Sequence, residues 1–459
     1  NFYKKPYYLG RVFFWGKKLS NNTVWPKKSY AWFVTIILLI TYTVSFIDRA
    51  IINFLYDPIK KDLGLSETEM GYIGGYAFAF SYILLSLPVG RIVDKFNRIF
   101  VLIFGVVLWS FATAAHGFSR DYYSLFISRS GVGAGEASVT PAAWSIIADL
   151  FRPEDRAFPM SFYLMGPYVG QGIALFFGAF IAQIFVEPVH YLGITFQPWQ
   201  MTFILVAIPG IFIAIILFFM RDPKRQNKEE NINTNYTFKD VLNYIKNNFI
   251  PYFTLLIGAA LIVILLYAYQ FQIPTYIYRV HGWDLSKIGY QFGLVTILSG
   301  CLGVLSGPIL EKYFAKRGFV NSWIFVFLIS SGFLAIVAPM IFYFLTDVYF
   351  FSLSLVLVCM FFVGFFITLP MSVFALALQK ITPSQFRGSI AGIYVFVMNI
   401  FGLTFGYNIT PYFTEFIFKN DNLINLSLGA TFLIFGPLSF LIFLFGRNAF
   451  NKALLENNN

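Results

Sequence analysis

The chain has 459 residues, 58% of them hydrophobic, 20% aromatic and only 12% charged; soluble domains carry about a quarter charged residues, so a water-soluble globular fold is excluded and an integral membrane protein is expected. The net charge of +11 does not point to nucleic acid, because the basic residues cluster in connections between apolar runs. Cys301 and Cys359 are the only cysteines and lie in apolar stretches, so neither a disulfide framework nor a metal site is expected, and no cofactor is implied.

The first 28 residues hold Lys4, Lys5, Arg11, Lys17, Lys18, Lys27 and Lys28 without an apolar run, which predicts a basic N-terminal segment and no signal peptide. A membrane-crossing helix needs about 20 predominantly apolar residues. Twelve such runs follow, at 30–55, 70–90, 98–118, 122–149, 157–186, 199–220, 250–278, 288–310, 319–345, 348–378, 388–416 and 424–446. The predicted fold class is an all-α membrane protein with 12 transmembrane helices. Its organisation is a segment 1–28, a six-helix bundle 29–220, a linker 221–249, a second six-helix bundle 250–447 and a tail 448–459. The linker opens with the basic stretch RDPKRQNK; Phe238, Val241, Leu242 and Ile245 then recur at helical spacing, predicting an amphipathic helix on the membrane surface or else a solvated linker.

Of the 33 Lys and Arg, 25 fall in the N-terminal segment, the even-numbered connections and the C-terminus. Six (Lys60, Lys61, Arg120, Arg279, Lys287, Lys419) fall on the opposite side, and Arg49 and Arg129 lie inside spans. The positive-inside rule then places both termini in the cytoplasm, with a bacterial inner (cell) membrane as the expected location.

The two halves repeat each other's punctuation. Gly90-Arg91-Ile92-Val93-Asp94-Lys95 follows the second run and Gly307-Pro308-Ile309-Leu310-Glu311-Lys312 the eighth; Arg152-Pro153 with Arg156 follows the fourth and Thr382-Pro383 with Arg387 the tenth. Matching signals at matching positions imply duplicated six-helix bundles with pseudo-symmetry.

A 6+6 chain with G-x-x-x-D-K-x-x-R after the second span resembles the major facilitator superfamily over nearly its whole length. The resemblance implies an inner gate at Gly90, Arg91, Asp94, Lys95 and Arg98, and a counterpart at Gly307, Glu311 and Lys312. In that gate the glycine lets two helices approach closely and the acid meets a helix N-terminus. The sequence departs from the family pattern after Lys95, where Phe96-Asn97 replaces the usual glycine. Within the superfamily, SFIDRAIINFLYDPIKKDLGLS, RSGVGAGEASVTPAAWSIIADLFRPEDRA, IPTYIYRVHGW and ALQKITPSQFRGSIAGIYVFVMNIFG resemble the Spinster family, in particular its bacterial homologues. The anion:cation symporter family is the alternative, sharing the D-R of the first span and the G-E-A of the fourth. Spinster resemblance implies lysophospholipids or phosphorylated sphingoid bases as substrates. Gly166-Pro167-Tyr168-Val169-Gly170-Gln171-Gly172 partly resembles the G-P-x-x-G-G motif of antiporters and hints at export.

Four charged residues lie away from span ends: Asp48, Arg49, Arg129 and Glu136. Charges at bilayer depth are costly, face the interior of the bundle and mark function. Asp48 is seven residues before the end of its span and Arg129 seven after the start of its own, so both should lie ~10 Å below the outer surface, with Glu136 on the face of Arg129 and ~10 Å deeper. This predicts a switch in which Arg129 pairs with Asp48 or Glu136 according to which side is open, coupled to protonation of one acid. No partner is evident for Arg49. The C-terminal half offers many Phe and Tyr, with Gln270, Gln272, Thr368 and Asn399 as scattered polar groups, so a site between the halves would suit an amphipathic substrate. The expected function is a proton-coupled secondary transporter of a lipid-like substrate, or of small organic anions, acting as a monomer surrounded by membrane lipids. The chain has no G-x-x-x-x-G-K-[ST] loop for ATP-driven transport, and His116, His190 and His281 all fall at span ends and form no catalytic triad, so no enzyme activity is expected.

Overall fold

The computed structural model describes residues 25–152, 155–191, 193–225, 238–319, 321–345, 349–350, 353–383 and 386–457. Most of the basic N-terminal segment and residues 226–237 of the linker lie outside the described residues, as do the side chains of Asp94, Phe238 and Arg387.

Among the described residues the fold is all-helical apart from two short antiparallel hairpins, β1 (Val189–Tyr191) with β2 (Ile194–Phe196) and β3 (Tyr349–Phe350) with β4 (Leu353–Ser354). Among the described residues, ten helices are long and apolar enough to cross a membrane: Lys28–Phe54, Arg98–His116, Gly166–Ile184, Pro198–Phe218, Phe249–His281, Leu285–Lys316, Ser322–Phe344, Leu355–Leu378, Ser389–Phe418 and Asp421–Asn448. The expected second and fourth runs are also helical but interrupted. The second comprises α3 (Glu67–Tyr72), a π turn at Ile73–Ala77 and α4 (Phe78–Lys95). The fourth comprises α6 (Tyr122–Glu136) and α7 (Val139–Leu150). The break between α6 and α7 follows from Pro141, which has no N–H to donate and crowds the carbonyl four residues earlier; Glu136 is the last residue before it. The other elements that position the site are α1 (Lys28–Phe54), α2 (Tyr56–Leu63), α5 (Arg98–His116), α8 (Ala157–Tyr163), α9 (Gly166–Ile184), α10 (Pro198–Phe218), α11 (Phe238–Asn247) and α12 (Phe249–His281). After these come α13 (Leu285–Lys287), α14 (Gly293–Lys316), α15 (Ser322–Phe344), α16 (Leu355–Thr368), α17 (Met371–Ile381), α18 (Arg387–Asn399), α19 (Tyr407–Tyr412) and α20 (Ile424–Asn457).

Helix ends are set by local chemistry. Asp121 accepts from Ser124 N at 2.8 Å and Ser66 from Glu69 N at 3.1 Å, each satisfying a donor that the first helical turn leaves free. At the departure from the family pattern, Phe96 is extended and Asn97 caps α5 by accepting from Phe100 N at 3.0 Å, so an Asn cap turns the chain where a glycine was expected. The last helix continues to Asn457, so the tail from 448 extends α20. Side chains such as Phe100, Phe104, Phe111, Phe212, Phe218 and Phe445 stand exposed around the bundle, an outer surface suited to hydrocarbon.

Within the linker, α11 rests part of its apolar face on the protein. In α11, Val241 is buried and Tyr244 and Ile245 pack against the core, whereas Leu242 is exposed. Tyr244 donates to Ile381 O at 3.5 Å and its ring lies 5.2 Å from Phe386. Tyr244 thereby ties α11 to the end of α17 and the loop that follows it.

Candidate functional site

The four charges predicted inside the bundle are all buried in the N-terminal half: Asp48 1% exposed, Arg49 7%, Arg129 0% and Glu136 1%. Their pairing differs from the expectation. Glu136 is partnered by Arg49: Nη2 donates to Oε2 at 2.5 Å and Nε to the same oxygen at 3.1 Å. Arg129 instead donates to backbone carbonyls of α1, to Arg49 O at 2.9 Å and Asp48 O at 3.4 Å. The reason is positional. Arg129 lies two turns from Glu136 on α6 itself and its guanidinium reaches across to α1, whereas Arg49 projects from α1 towards the end of α6.

Aromatic faces complete the cradle. The Arg49 guanidinium lies 4.4 Å from the Phe46 ring and 4.3 Å from Phe78, and the Arg129 guanidinium lies 5.3 Å from the same Phe78 ring, contacts worth ~2 kcal/mol where water is excluded. Among the described residues, Glu136 Oε1 has no hydrogen-bond partner; Asp48 faces Trp109 and Thr113 of α5. Both arginine bonds fall on Oε2, and Oε1 of Glu136 receives none.

Next to this cluster, a cavity of about 240 Å³ opens between the halves. Tyr42, Phe46 and Tyr168 line it from the N-terminal half, and Tyr267, Gln270 and Met371 from the C-terminal half. Phe46 belongs both to the cavity wall and to the stack on Arg49, so the ion pair sits directly behind the wall. Asn53 donates to Gln270 O at 3.2 Å just beyond it. Gln272 is fully buried.

At the end distal to the linker the halves are bridged by charge. Arg279 Nη2 lies 2.7 Å from Asp57 Oδ1 and 2.8 Å from Glu67 Oε1. Lys60 lies 2.6 Å from Glu67 and pairs with Asp421 across the same interface, while Thr68 N donates to Glu415 Oε2 at 2.6 Å. In the sequence Lys60 and Arg279 read as loop residues only; the usable signal is that Arg279 falls in the IPTYIYRVHGW stretch. Close backbone approach supports this end: a Cβ on Gly75 would lie 2.6 Å from Leu403 O, and one on Gly74 2.7 Å from the Phe271 ring.

The linker end is different. A Cβ on Gly90 or on Gly392 would meet nothing within 4 Å, so the close approach expected at Gly90 is not made in this conformation, and Arg91 and Lys95 are exposed. Arg98 is fully buried and serves as a tie within the N-terminal half. Its Nε donates to Asp222 Oδ1 at 2.8 Å and its Nη1 to Ser145 O at 3.1 Å, and it pairs with Asp149. Of the C-terminal counterpart, Gly307 packs against Leu369 O of the α16–α17 connection, Glu311 accepts from Ser322 at 2.6 Å and from Lys380 at 3.0 Å, and Lys312 is exposed.

Residues 38–406 match the model of the Major Facilitator Superfamily. The chain is 29% identical over 314 residues to protein spinster homolog 1 of Xenopus tropicalis, covering 63% of this chain and 56% of that protein. It is 26% identical over 288 residues to an MFS-type efflux pump of Mycolicibacterium smegmatis (62% and 64%) and 26% identical over 321 residues to a probable galactarate/D-glucarate transporter of Bacillus subtilis (64% and 67%). The chain thus spans roughly half to two thirds of the length of these relatives. Among solved structures, a bacterial homologue of the human lysosomal transporter Spinster, inward-facing and unoccupied, superposes with a TM-score of 0.78 at 21% identity, over 93% of this chain and 99% of that one. With the family match extending across both helical halves, the chain belongs to the Major Facilitator Superfamily.

Proposed function

We propose that the protein is a proton-coupled secondary transporter working by alternating access, with twelve spans, cytoplasmic termini and a bacterial cell membrane as its location. The observation that carries the reading is the buried Arg49–Glu136 pair behind the wall of the cavity between the halves. With the distal end taken as the outside, this conformation is inward-open: the halves are bridged outside at Arg279, Asp57 and Glu67, and Gly90 stands free inside. Protonation of Glu136 on Oε1 cancels its charge, loosens its hold on Arg49 and frees the guanidinium to meet an anionic group in the cavity. A ligand that binds one state better than the other then shifts the populations. Opening the distal end requires the Arg279 bridge to break, while closing the linker end brings Gly90, Arg91, Asp94, Lys95 and Arg98 towards the other half. This is the gating role those residues are assigned, with Gly307, Glu311 and Lys312 opposite.

The substrate class proposed is an amphipathic anionic or zwitterionic lipid such as a lysophospholipid, moved by a monomer. Support comes from the wall chemistry, aromatic and aliphatic side chains with Gln270 and Ser372 and with Arg49 behind Phe46, and from the likeness to Spinster proteins. The likeness to a probable galactarate/D-glucarate transporter favours small organic anions as the second reading. Flux into proteoliposomes, with and without an imposed pH gradient, separates them. Gradient-driven movement of labelled lysophospholipid supports the first, gradient-driven uptake of galactarate alone replaces it with the second, and flux of either that ignores the gradient overturns proton coupling.

A further inference from the structure

A line of aromatic contacts joins the buried Arg49–Glu136 pair to the distal bridge, and it passes from one half to the other on the way. Tyr267 of α12 begins it. This residue lines the cavity between the halves, and its phenol is hydrogen-bonded to the Arg49 side chain; a guanidinium only donates, so the phenol oxygen accepts. The Tyr267 ring lies 5.5 Å from Tyr407 of α19, Tyr407 lies 4.6 Å from Phe271, and Phe271 lies 5.2 Å from Tyr56 of α2. Tyr56 donates to Glu67 Oε2 at 2.7 Å, and Glu67 is held by Arg279 at 2.8 Å. Arg49, Tyr56 and Glu67 belong to the N-terminal half and Tyr267, Phe271 and Tyr407 to the C-terminal half, so the halves meet at Arg49–Tyr267 and again at Phe271–Tyr56.

Glycines hold the line stiff. A Cβ on Gly402 would lie 2.6 Å from the Tyr267 ring and one on Gly406 2.6 Å from Tyr267 Cβ, so the π turn Ile400–Gly406 closes directly on this tyrosine. Across the seam, a Cβ on Gly74 would lie 2.9 Å from the Tyr407 ring. Side chains packed this closely transmit a displacement instead of absorbing it. Around the Arg49 guanidinium, Phe46, Phe78 and Tyr82 lie at 4.4, 4.3 and 5.5 Å, all from the N-terminal half. The Tyr267 phenol is the hydrogen-bond acceptor that the C-terminal half brings to it.

We propose that Tyr267 is a positioning residue that couples the state of Arg49 to the distal bridge. With Arg49 held by Glu136 and bonded to the phenol, the aromatic line is braced and the distal end stays shut. An anionic group in the cavity that draws Arg49 off the phenol removes the brace, and Tyr407 and Tyr56 can then part from their partners in the opposite half. The inference rests on the function proposed above, which supplies the anionic group and the protonation that releases Arg49.

The test is a double-mutant cycle read at the distal seam, in the intact protein reconstituted in lipid at equal pH on both sides. The probe is an impermeant maleimide reacting with Asn408→Cys, which lies against Gly71 and Gly75, after Cys301→Ser and Cys359→Ser. Tyr267→Phe keeps the ring and removes only the hydroxyl. With Arg49 present it should speed labelling roughly 10- to 10²-fold, the strength of a hydrogen bond to a charged group. In a background where Arg49→Met and Glu136→Gln remove both charges together, the same substitution should leave the rate unchanged. Equal acceleration in the two backgrounds would assign Tyr267 to packing alone, and no acceleration with Arg49 present would leave no brace; either result overturns the proposal. A second measurement covers a background that does not fold: the infrared C–O band of Tyr267, assigned by its loss in Tyr267→Phe, should shift in Arg49→Lys, and an unshifted band overturns the coupling at its first contact. Failure of the transport reading is seen separately, as wild-type flux indifferent to the pH gradient.

Discussion

Replacing Arg279 by Gln should open the distal end. Arg279 Nη2 contacts Asp57 at 2.7 Å and Glu67 at 2.8 Å, and its Nε lies 3.0 Å from Asp57 Oδ1; the three side chains are 6%, 8% and 2% exposed. Breaking a buried ion pair by removing one partner costs roughly 3–5 kcal/mol, mostly because the remaining charge is left buried. Here two carboxylates remain and Lys60 contacts only Glu67 of the two. Because Arg279 belongs to one half and both acids to the other, the loss falls on the conformation in which the halves meet. At about 1.4 kcal/mol per factor of ten, the open-to-closed ratio at this end should rise between about 10²- and 10⁴-fold. The assay is labelling of Asn408→Cys, which lies against Gly71 and Gly75 in the closed seam, by an impermeant maleimide in a background of Cys301→Ser and Cys359→Ser. The reasoning predicts slow labelling with Arg279, fast labelling with Gln and an intermediate rate with Lys, which keeps the charge but loses the planar fork. Equal rates for Arg279 and Arg279→Gln in folded protein would refute it.

Other outcomes follow from the same contacts. Gly75→Val should also speed labelling at the distal seam, since its Cβ would lie 2.6 Å from Leu403 O, whereas Gly90→Ala should leave that rate unchanged, having nothing within 4 Å. Arg98→Ala removes the cation that Asp149 and Asp222 share at the linker end and should lower stability by roughly 3–5 kcal/mol, measured by denaturant unfolding in detergent. Arg49→Lys keeps the charge but gives up the two-nitrogen contact with Glu136 and the stacking on Phe46 and Phe78. A loss of ~1–2 kcal/mol should appear as roughly tenfold weaker gradient-driven flux in protein that still folds.

The helices were legible because burying backbone in hydrocarbon leaves few options: the apolar runs at 98–118 and 199–220 became Arg98–His116 and Pro198–Phe218 within a few residues. The buried charges were legible for the same reason, since Asp48, Arg49, Arg129 and Glu136 stand out against apolar neighbours. Their pairing was not. Counting along α6 gives depth and face for Arg129 and Glu136, but which arginine reaches the acid depends on how α1 is rotated against α6, a tertiary fact. The distal bridge was hidden for a related reason: Asp57, Lys60, Glu67 and Arg279 sit at helix ends, where loop charge is ordinary, and only folding brings Arg279 to residues more than 200 positions earlier. The docking of α11 was half legible, because amphipathic spacing gives an apolar face but not what covers it.

The central claim is that Glu136 couples proton movement to transport through Arg49. The most direct measurement compares gradient-driven lysophospholipid flux with substrate counterflow, at equal pH on both sides, in proteoliposomes of wild type and Glu136→Gln. The account predicts that the variant loses gradient-driven flux while counterflow persists, because Gln still accepts from Arg49 but cannot exchange a proton. Gradient-driven flux of wild-type size in Glu136→Gln would contradict it.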